Sequence, residues 1–205
     1  MSHYFSAQFV SLSSDRESQL IRHNTRLWFA CPYRPLPYGK CVGAVVGLNP
    51  GSAIGQNNEH TESIGICDPT MERILRTFEL AFQLNNKAIP QNAYVQMLNL
   101  FYLRESNSSA ALEELAHQSD MIRLHQDPAE SQTYPFLWLA WGGSARNDDM
   151  ARFLDNRQEA CCWIGADLNI HFERPLDARL VRHPLCRVSG FSMKKNAQMI
   201  AQMLI

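Results

Sequence analysis

The chain has 205 residues, 45% of them hydrophobic and 19% charged. That is enough apolar material for one domain-sized core, and it excludes a disordered or low-complexity chain. Nineteen Lys and Arg against twenty Asp and Glu give a formal charge of −1, which excludes a protein that coats nucleic acid with a uniformly basic surface. The balance is uneven along the chain. Residues 101–160 carry five basic and ten acidic side chains, and residues 161–205 carry six basic and three acidic.

No apolar run approaches the ~18 residues that cross a bilayer. The start, Met1-Ser2-His3-Tyr4-Phe5, has no basic stretch followed by an apolar one, so no signal peptide is expected. None of the six cysteines forms a Cys-x-x-Cys pair, so neither zinc nor another metal is expected, and free thiols in a reducing cytosol are the reading. Cys161 and Cys162 open an apolar run that suits buried thiols.

In chain order, residues 1–40 are the least regular. Ser14, with Glu17 at capping-box spacing, predicts a helix to about Trp28. The prolines between Cys31 and Gly39 then require a loop. This N-terminal part is expected to pack on a single domain that fills the chain.

Cys41–Leu48 is an almost unbroken apolar run, as in a strand buried on both faces. It ends in the turn-forming Asn49-Pro50-Gly51-Ser52. A polar loop leads to Asp68-Pro69, a good N-cap and first helical residue, with a helix to about Leu84. Tyr94–Phe101 is a second strand, Ser108–His117 a helix, Phe136–Trp141 a third strand, and Ala145–Asn156 a helix. Cys161–Gly165 is a fourth strand, Leu176–Gly190 a loop, and Met193–Leu204 a terminal helix. The alternation predicts a three-layer α/β/α domain around a central, mostly parallel four-stranded sheet. In such sheets ligands bind beyond the carboxyl ends of the strands.

Those ends read Gly47-Leu48-Asn49-Pro50-Gly51, Asn99-Leu100-Phe101 and Trp141-Gly142-Gly143-Ser144, with His183-Pro184-Leu185-Cys186-Arg187-Val188-Ser189-Gly190 later in the chain. They contain no paired carboxylates. The phosphate-loop and dinucleotide fingerprints are absent from the sequence, so no nucleotide cofactor is expected. No zinc-deaminase signature is present either.

In order and type, these segments resemble the motifs of the uracil-DNA glycosylase superfamily over roughly residues 41–190. Gly47-Leu48-Asn49-Pro50-Gly51 is similar to the first motif of its mismatch-specific and thymine-type branch, whose Asn helps position the attacking water. Met97-Leu98-Asn99 resembles the strand whose Asn reads the edge of a flipped base. Trp141-Gly142 with Ser144 and Ala145 is similar to the Trp-Gly segment. His183-Pro184 with Ser189-Gly190 resembles the second catalytic motif, whose His supports the leaving base. The set Asn-Pro, Asp-Pro-Thr, Asn-Leu-Phe, Ala-Trp-Gly and His-Pro-Leu also resembles a little-characterised bacterial and phage domain family adjacent to these glycosylases.

There are departures. Leu185 stands where the second motif has Ser, the first motif lacks the Asp-Pro-Tyr of the uracil-specific branch, and the 52–67 loop is polar and Gly-bearing. They turn the expectation from uracil to a pyrimidine with a 5-substituent, such as hydroxymethylated or glucosylated cytosine in phage DNA. The resemblance thus implies a monofunctional DNA glycosylase, acting as a monomer on DNA without a cofactor, with anti-phage defence as a setting.

It assigns Asn49 and His183 to catalysis, and Gly47, Leu48, Asp68, Asn99 and Phe101 to the base. Ser52, Gly142, Ser144, Arg146, Leu185, Arg187, Ser189, Lys194 and Lys195 are assigned to DNA, Leu185 or Arg187 filling the gap in the stack. The same residues admit plainer roles: Asn49 as a turn residue, Asn99 as a buried amide, Phe101 as core, Asp68 as a cap, and the basic cluster as a solvated face. A nucleic-acid-binding module without catalysis and a nucleoside or nucleotide hydrolase are the competing functions.

Overall fold

The computed structural model describes residues 3–13, 18–30, 39–50, 63–103, 107, 109–110, 112–113, 130–155 and 157–204. The capping pair Ser14 and Glu17, most of the Pro-rich loop, Ser52 and most of the Ser108–His117 helix lie outside the described residues.

One mixed sheet of eight strands runs through the chain, in the order β4-β1-β2-β5-β3-β6-β7-β8. The strands are β1 (Tyr4–Ser13), β2 (Ser18–Trp28), β3 (Lys40–Gly47), β4 (Ser63–Ile66), β5 (Ala93–Asn99), β6 (Leu137–Leu139), β7 (Cys161–Ile164) and β8 (Ile170–His171). Three α-helices are described from end to end: α1 (Pro69–Leu84), α2 (Asn147–Leu154) and α3 (Met193–Met203). Parallel pairing joins β5 to β3, β3 to β6 and β6 to β7. The other pairings are antiparallel. The sheet is therefore wider and more mixed than the expected four strands.

The N-terminal expectation is corrected most. Where a helix to Trp28 was expected, β1 and β2 form an antiparallel hairpin, and β2 adds to the outer edge of β5. Phe5, Ala7 and Phe9 alternate into the core at the period of two that a strand requires. In β2 the polar residues hide that period, because partners far along the chain bury them. Glu130 accepts from the Asn24 backbone N–H at 2.5 Å and from the Tyr102 hydroxyl, and Arg22 donates to the Pro50 carbonyl. Such buried polar groups are tolerable only when hydrogen-bonded. Part of the expected loop before Asp68 is also strand: β4 pairs with β1.

The sheet is covered on both faces. Against one face, Met71, Ile74, Leu75 and Phe78 of α1 and Ala197, Met199 and Ile200 of α3 pack on Val45, Val95, Met97, Phe136 and Trp138. Against the other, Met150 and Leu154 of α2, with Ala178 and Val181, pack on Val46, Leu98, Leu137, Leu139 and Trp163. Adjacent Cys161 and Cys162 point to opposite faces and are free buried thiols. No helix among the described residues is long and apolar enough to cross a membrane.

Gly43 lies against the Phe136 ring, which stacks on Phe78 at 6.1 Å between centroids. A Cβ at residue 43 would come within 2.7 Å of that ring. Gly43→Ala is expected to cost about 1–3 kcal/mol through overpacking, read as a lower urea midpoint. Adding Phe136→Leu should recover part of the loss, because the offending ring is gone.

Candidate functional site

The parallel strands β5, β3 and β6 end side by side, and the chain continues their pairing for a few residues. Leu100 N–H donates to the Gly47 carbonyl at 3.1 Å, Phe101 N–H to the Leu48 carbonyl at 3.3 Å, and Ala140 N–H to the Val46 carbonyl at 2.9 Å. These bonds fix the start of the Gly47–Pro50 turn. Beyond it opens a cavity of about 440 Å³, within the range of small-molecule sites.

Gly47, Leu48, Asn49, Asp68, Gly142, Ser144 and His183 all line it. They come from β3, the N-cap of α1, the segment after β6, and the loop before α3. Asn49 Nδ2 donates to the Leu103 carbonyl at 3.4 Å, which orients its carboxamide. Asp68 accepts from Met71 N–H at 2.9 Å; it is both a helix cap and part of the wall.

His183 has a defined tautomer. Leu185 N–H donates to Nδ1 at 3.2 Å, so in the neutral ring the proton sits on Nε2. Burial pushes the imidazole below its ordinary value, and the negative charge of Asp68 pulls more weakly the other way. The ring is therefore neutral at pH 7, with Nε2–H as a donor. Gly142 makes room for it: its φ is +82°, and a Cβ there would stand 3.2 Å from the His183 Cβ. Trp141 Nε1–H donates to the Ala178 carbonyl at 2.9 Å, and Ala178 N–H to Asn147 Oδ1 at 2.8 Å. The loop that precedes His183 is thereby tied to the rim.

Other expected residues fall elsewhere. Asn99 is 3% exposed and lies outside the cavity wall. Its carboxamide faces acceptors, so we assign its nitrogen as donor to the Asn49 carbonyl at 3.2 Å and the Leu98 carbonyl at 3.3 Å. It holds the turn from beneath. Gly47 admits it, since a Cβ there would stand 3.0 Å from that amide. Phe101 is fully buried in the core on the α2 side and is not in the wall.

The basic residues near His183 are mostly engaged. Arg174 donates to the Arg157 carbonyl, Arg182 to the Ala166 carbonyl and Lys195 to the Leu168 carbonyl. Arg179 pairs with Asp177 at 2.6 Å, and Arg146 with the buried Asp149 at 2.8 Å. Arg187, Ser189 and Lys194 are exposed, and Leu185 is 39% exposed beside His183.

Arg22, Val45, Thr70, Met71, Ile74 and Ala140 also line it without having been expected from sequence. An arginine in a polar-looking strand carries no local mark of such a place. Among the described residues no group of three or more His, Cys, Asp or Glu is arranged to hold a metal ion. No family model, curated protein or solved structure matches the chain.

The His183 ring signal in NMR is expected to titrate below 6.5, the ordinary histidine value. Because the folded state resists protonation, this group leaves stability untouched above 6.5 and lowers it as pH falls from there through the folded midpoint. Gly142→Ala, forcing a side chain into positive φ, is expected to cost about 1–3 kcal/mol in chemical unfolding and to shift the His183 resonances.

Proposed function

We propose that the chain is a monofunctional DNA glycosylase. It hydrolyses the N-glycosidic bond of a flipped pyrimidine bearing a 5-substituent and leaves an abasic site. The observation that carries this reading is the meeting of Asn49 and His183, far apart in sequence, in one cavity at the ends of parallel strands. Both belong to the motifs that resemble those of the uracil-DNA glycosylase superfamily.

The chemistry asks for two things. As the bond between the sugar carbon and the base nitrogen breaks, its electron pair goes to the base, and charge develops on the base oxygen. A neutral His183 with its proton on Nε2 is suited to donate to that oxygen, the kind of fixed donor that acts on developing charge. Water must then bond to the sugar carbon and lose a proton, which the departing base anion takes up. An amide has no useful pKa for taking that proton. Asn49 instead holds the water through Oδ1, a task of orientation. Asn99 acts through Asn49 as a positioning residue. A volume of about 440 Å³ has room for a flipped base. Arg187, Lys194, Ser189 and Leu185 remain the exposed candidates for DNA contact.

The tethering of Arg174, Arg179, Arg182 and Lys195 favours one second reading, hydrolysis of a free nucleoside or nucleotide. Preference for a monomer over an oligonucleotide would select it.

The test is incubation with duplex and single-stranded DNA carrying uracil, a thymine mismatch, or hydroxymethylated or glucosylated cytosine, followed by alkali. Strand breaks are expected at a substituted pyrimidine. His183→Ala and Asn49→Ala are each expected to slow excision about 10²–10³-fold, the usual cost of removing one such group. Absence of breaks on every substrate overturns the glycosylase reading. Breaks that survive both substitutions overturn the residue assignment.

A further inference from the structure

Asn49, Asp68 and His183 come to the cavity from three separate elements, and all are half-buried. Asn49 and His183 have tasks in the proposed reaction, one on the water and one on the base oxygen. Asp68 has no task there beyond its place in the wall. Among the described residues it is the one carboxylate of that wall.

The helix uses only part of this side chain. Asp68 Oδ1 accepts from the Met71 N–H at 2.9 Å. No other hydrogen bond or ion pair reaches the carboxylate among the described residues. An ionised carboxylate accepts several hydrogen bonds and donates none, so its remaining capacity calls for an N–H or O–H from the ligand. A ligand that brings only acceptors to it is penalised, because the anion is then desolvated without a partner. His183 is the complement. Its Nδ1 is taken by Leu185 N–H, which leaves Nε2–H as a donor. The charge of Asp68 acts on the His183 ring, against the larger effect of burial. No hydrogen bond joins the two side chains, so the cavity offers a donor and an acceptor side by side.

The edges of the pyrimidines answer such a pair differently. A 4-amino pyrimidine has an acceptor, O2, at one end of its pairing edge and an amino donor at the other, the group to which an Asp or Glu side chain is suited. A 4-oxo pyrimidine has acceptors at both ends, with its one N–H between them. A carboxylate that approaches that N–H also meets two carbonyl oxygens. As the bond to the sugar breaks, charge develops on O4 as well as O2 of a 4-oxo base, and a neighbouring anion opposes it.

We infer that Asp68 is a specificity-determining residue that reads the exocyclic amino group of the flipped base, so that 4-amino pyrimidines of the cytosine type are taken in preference to 4-oxo pyrimidines of the uracil and thymine type. This rests on the glycosylase reading and narrows its substrate class. Capping α1 is a second task of the same side chain. The two tasks separate by experiment: a cap affects every substrate alike, whereas reading an amino group changes the ratio between substrates.

Asn and Ser cap helices about as well as Asp, so Asp68→Asn and Asp68→Ser keep the start of α1 and remove the carboxylate. Asn also adds an N–H that a 4-oxo base can accept. The full chain is given two duplexes, one with 5-hydroxymethylcytosine and one with 5-hydroxymethyluracil, which differ at position 4 and in the N3 proton that goes with it. Each base stands opposite a stable abasic analogue, so neither is paired. Single-turnover excision is measured for the wild type and both variants, with calorimetric binding of the two free deoxynucleosides alongside. The wild type is expected to favour the cytosine base, and Asp68→Asn to reduce that ratio about 10–100-fold, the loss of one hydrogen bond to a charged group. Asp68→Ser is expected to fall between them.

A wild type that excises both bases equally, or favours the uracil base, overturns the inference and leaves the glycosylase reading standing. A variant that slows both substrates equally also overturns it, and Asp68 is then a cap alone. If Asp68→Asn does not fold, Asp68→Ser decides, and an unchanged ratio there overturns the inference. If the wild type excises neither base but binds the cytosine nucleoside more tightly, and loses that preference in Asp68→Asn, the inference stands and the glycosylase reading falls. If it neither excises nor discriminates in binding, both fall.

Discussion

The geometry of the cavity depends on β3 having a parallel neighbour on each side. With β5 and β6 hydrogen-bonded to its two edges, β3 can stop only where its neighbours allow. The carbonyls of Val46, Gly47 and Leu48 are taken by Ala140, Leu100 and Phe101. The chain therefore leaves the sheet in one defined direction at Asn49. A single strand end would wander; three bonded ends form a platform. Helix α1 starts beside that platform, with Asp68 capping it, and the loop through His183 adds to the wall.

Two features lock the catalytic candidates. Asn49 is held at its side chain by the Leu103 carbonyl and at its backbone by Asn99. His183 is held at Nδ1 by Leu185 N–H and rests against Gly142, where a glycine is needed for both its positive φ and its small size. Apart from the bond between His183 and Leu185, these constraints join residues far apart in the chain. Preorganisation of this kind is what transition-state stabilisation requires, since donors that need no rearrangement lose nothing at the moment of reaction.

Charge in the C-terminal part has a structural use as well as a long-range one. Arg174, Arg182 and Lys195 bond to backbone carbonyls of neighbouring loops, and Arg179 neutralises Asp177. The basic count of the segment therefore overstates its surface for phosphate. The charges that bond carbonyls still contribute to the field, but the exposed side chains that can approach a backbone are fewer. Arg22 is the converse: a cation in the most polar-looking part of the N-terminal region that lines the cavity.

The strands β3, β5, β6 and β7 were legible because runs such as Val42–Gly47 and Leu137–Leu139 are apolar enough to be read without partners. The cap at Asp68 and the start of α1 were legible because capping is chemistry within four residues. Asn49, Gly142 and Ser144 follow the ends of β3 and β6, whereas His183, in the loop before α3, was singled out by its His-Pro motif. The hairpin of β1 and β2 was not read, although Phe5, Ala7 and Phe9 alternate, because Arg22 and Asn24 interrupt the apolar pattern of β2 and find their partners in Pro50 and Glu130, far along the chain. For the same reason, Asn99 facing the Asn49 turn, Phe101 in the core and Arg22 in the cavity wall were decided by tertiary structure alone. Local sequence sets what a segment can form, but the partner of a buried polar side chain is set by where distant strands are brought together, and no short stretch of residues encodes that.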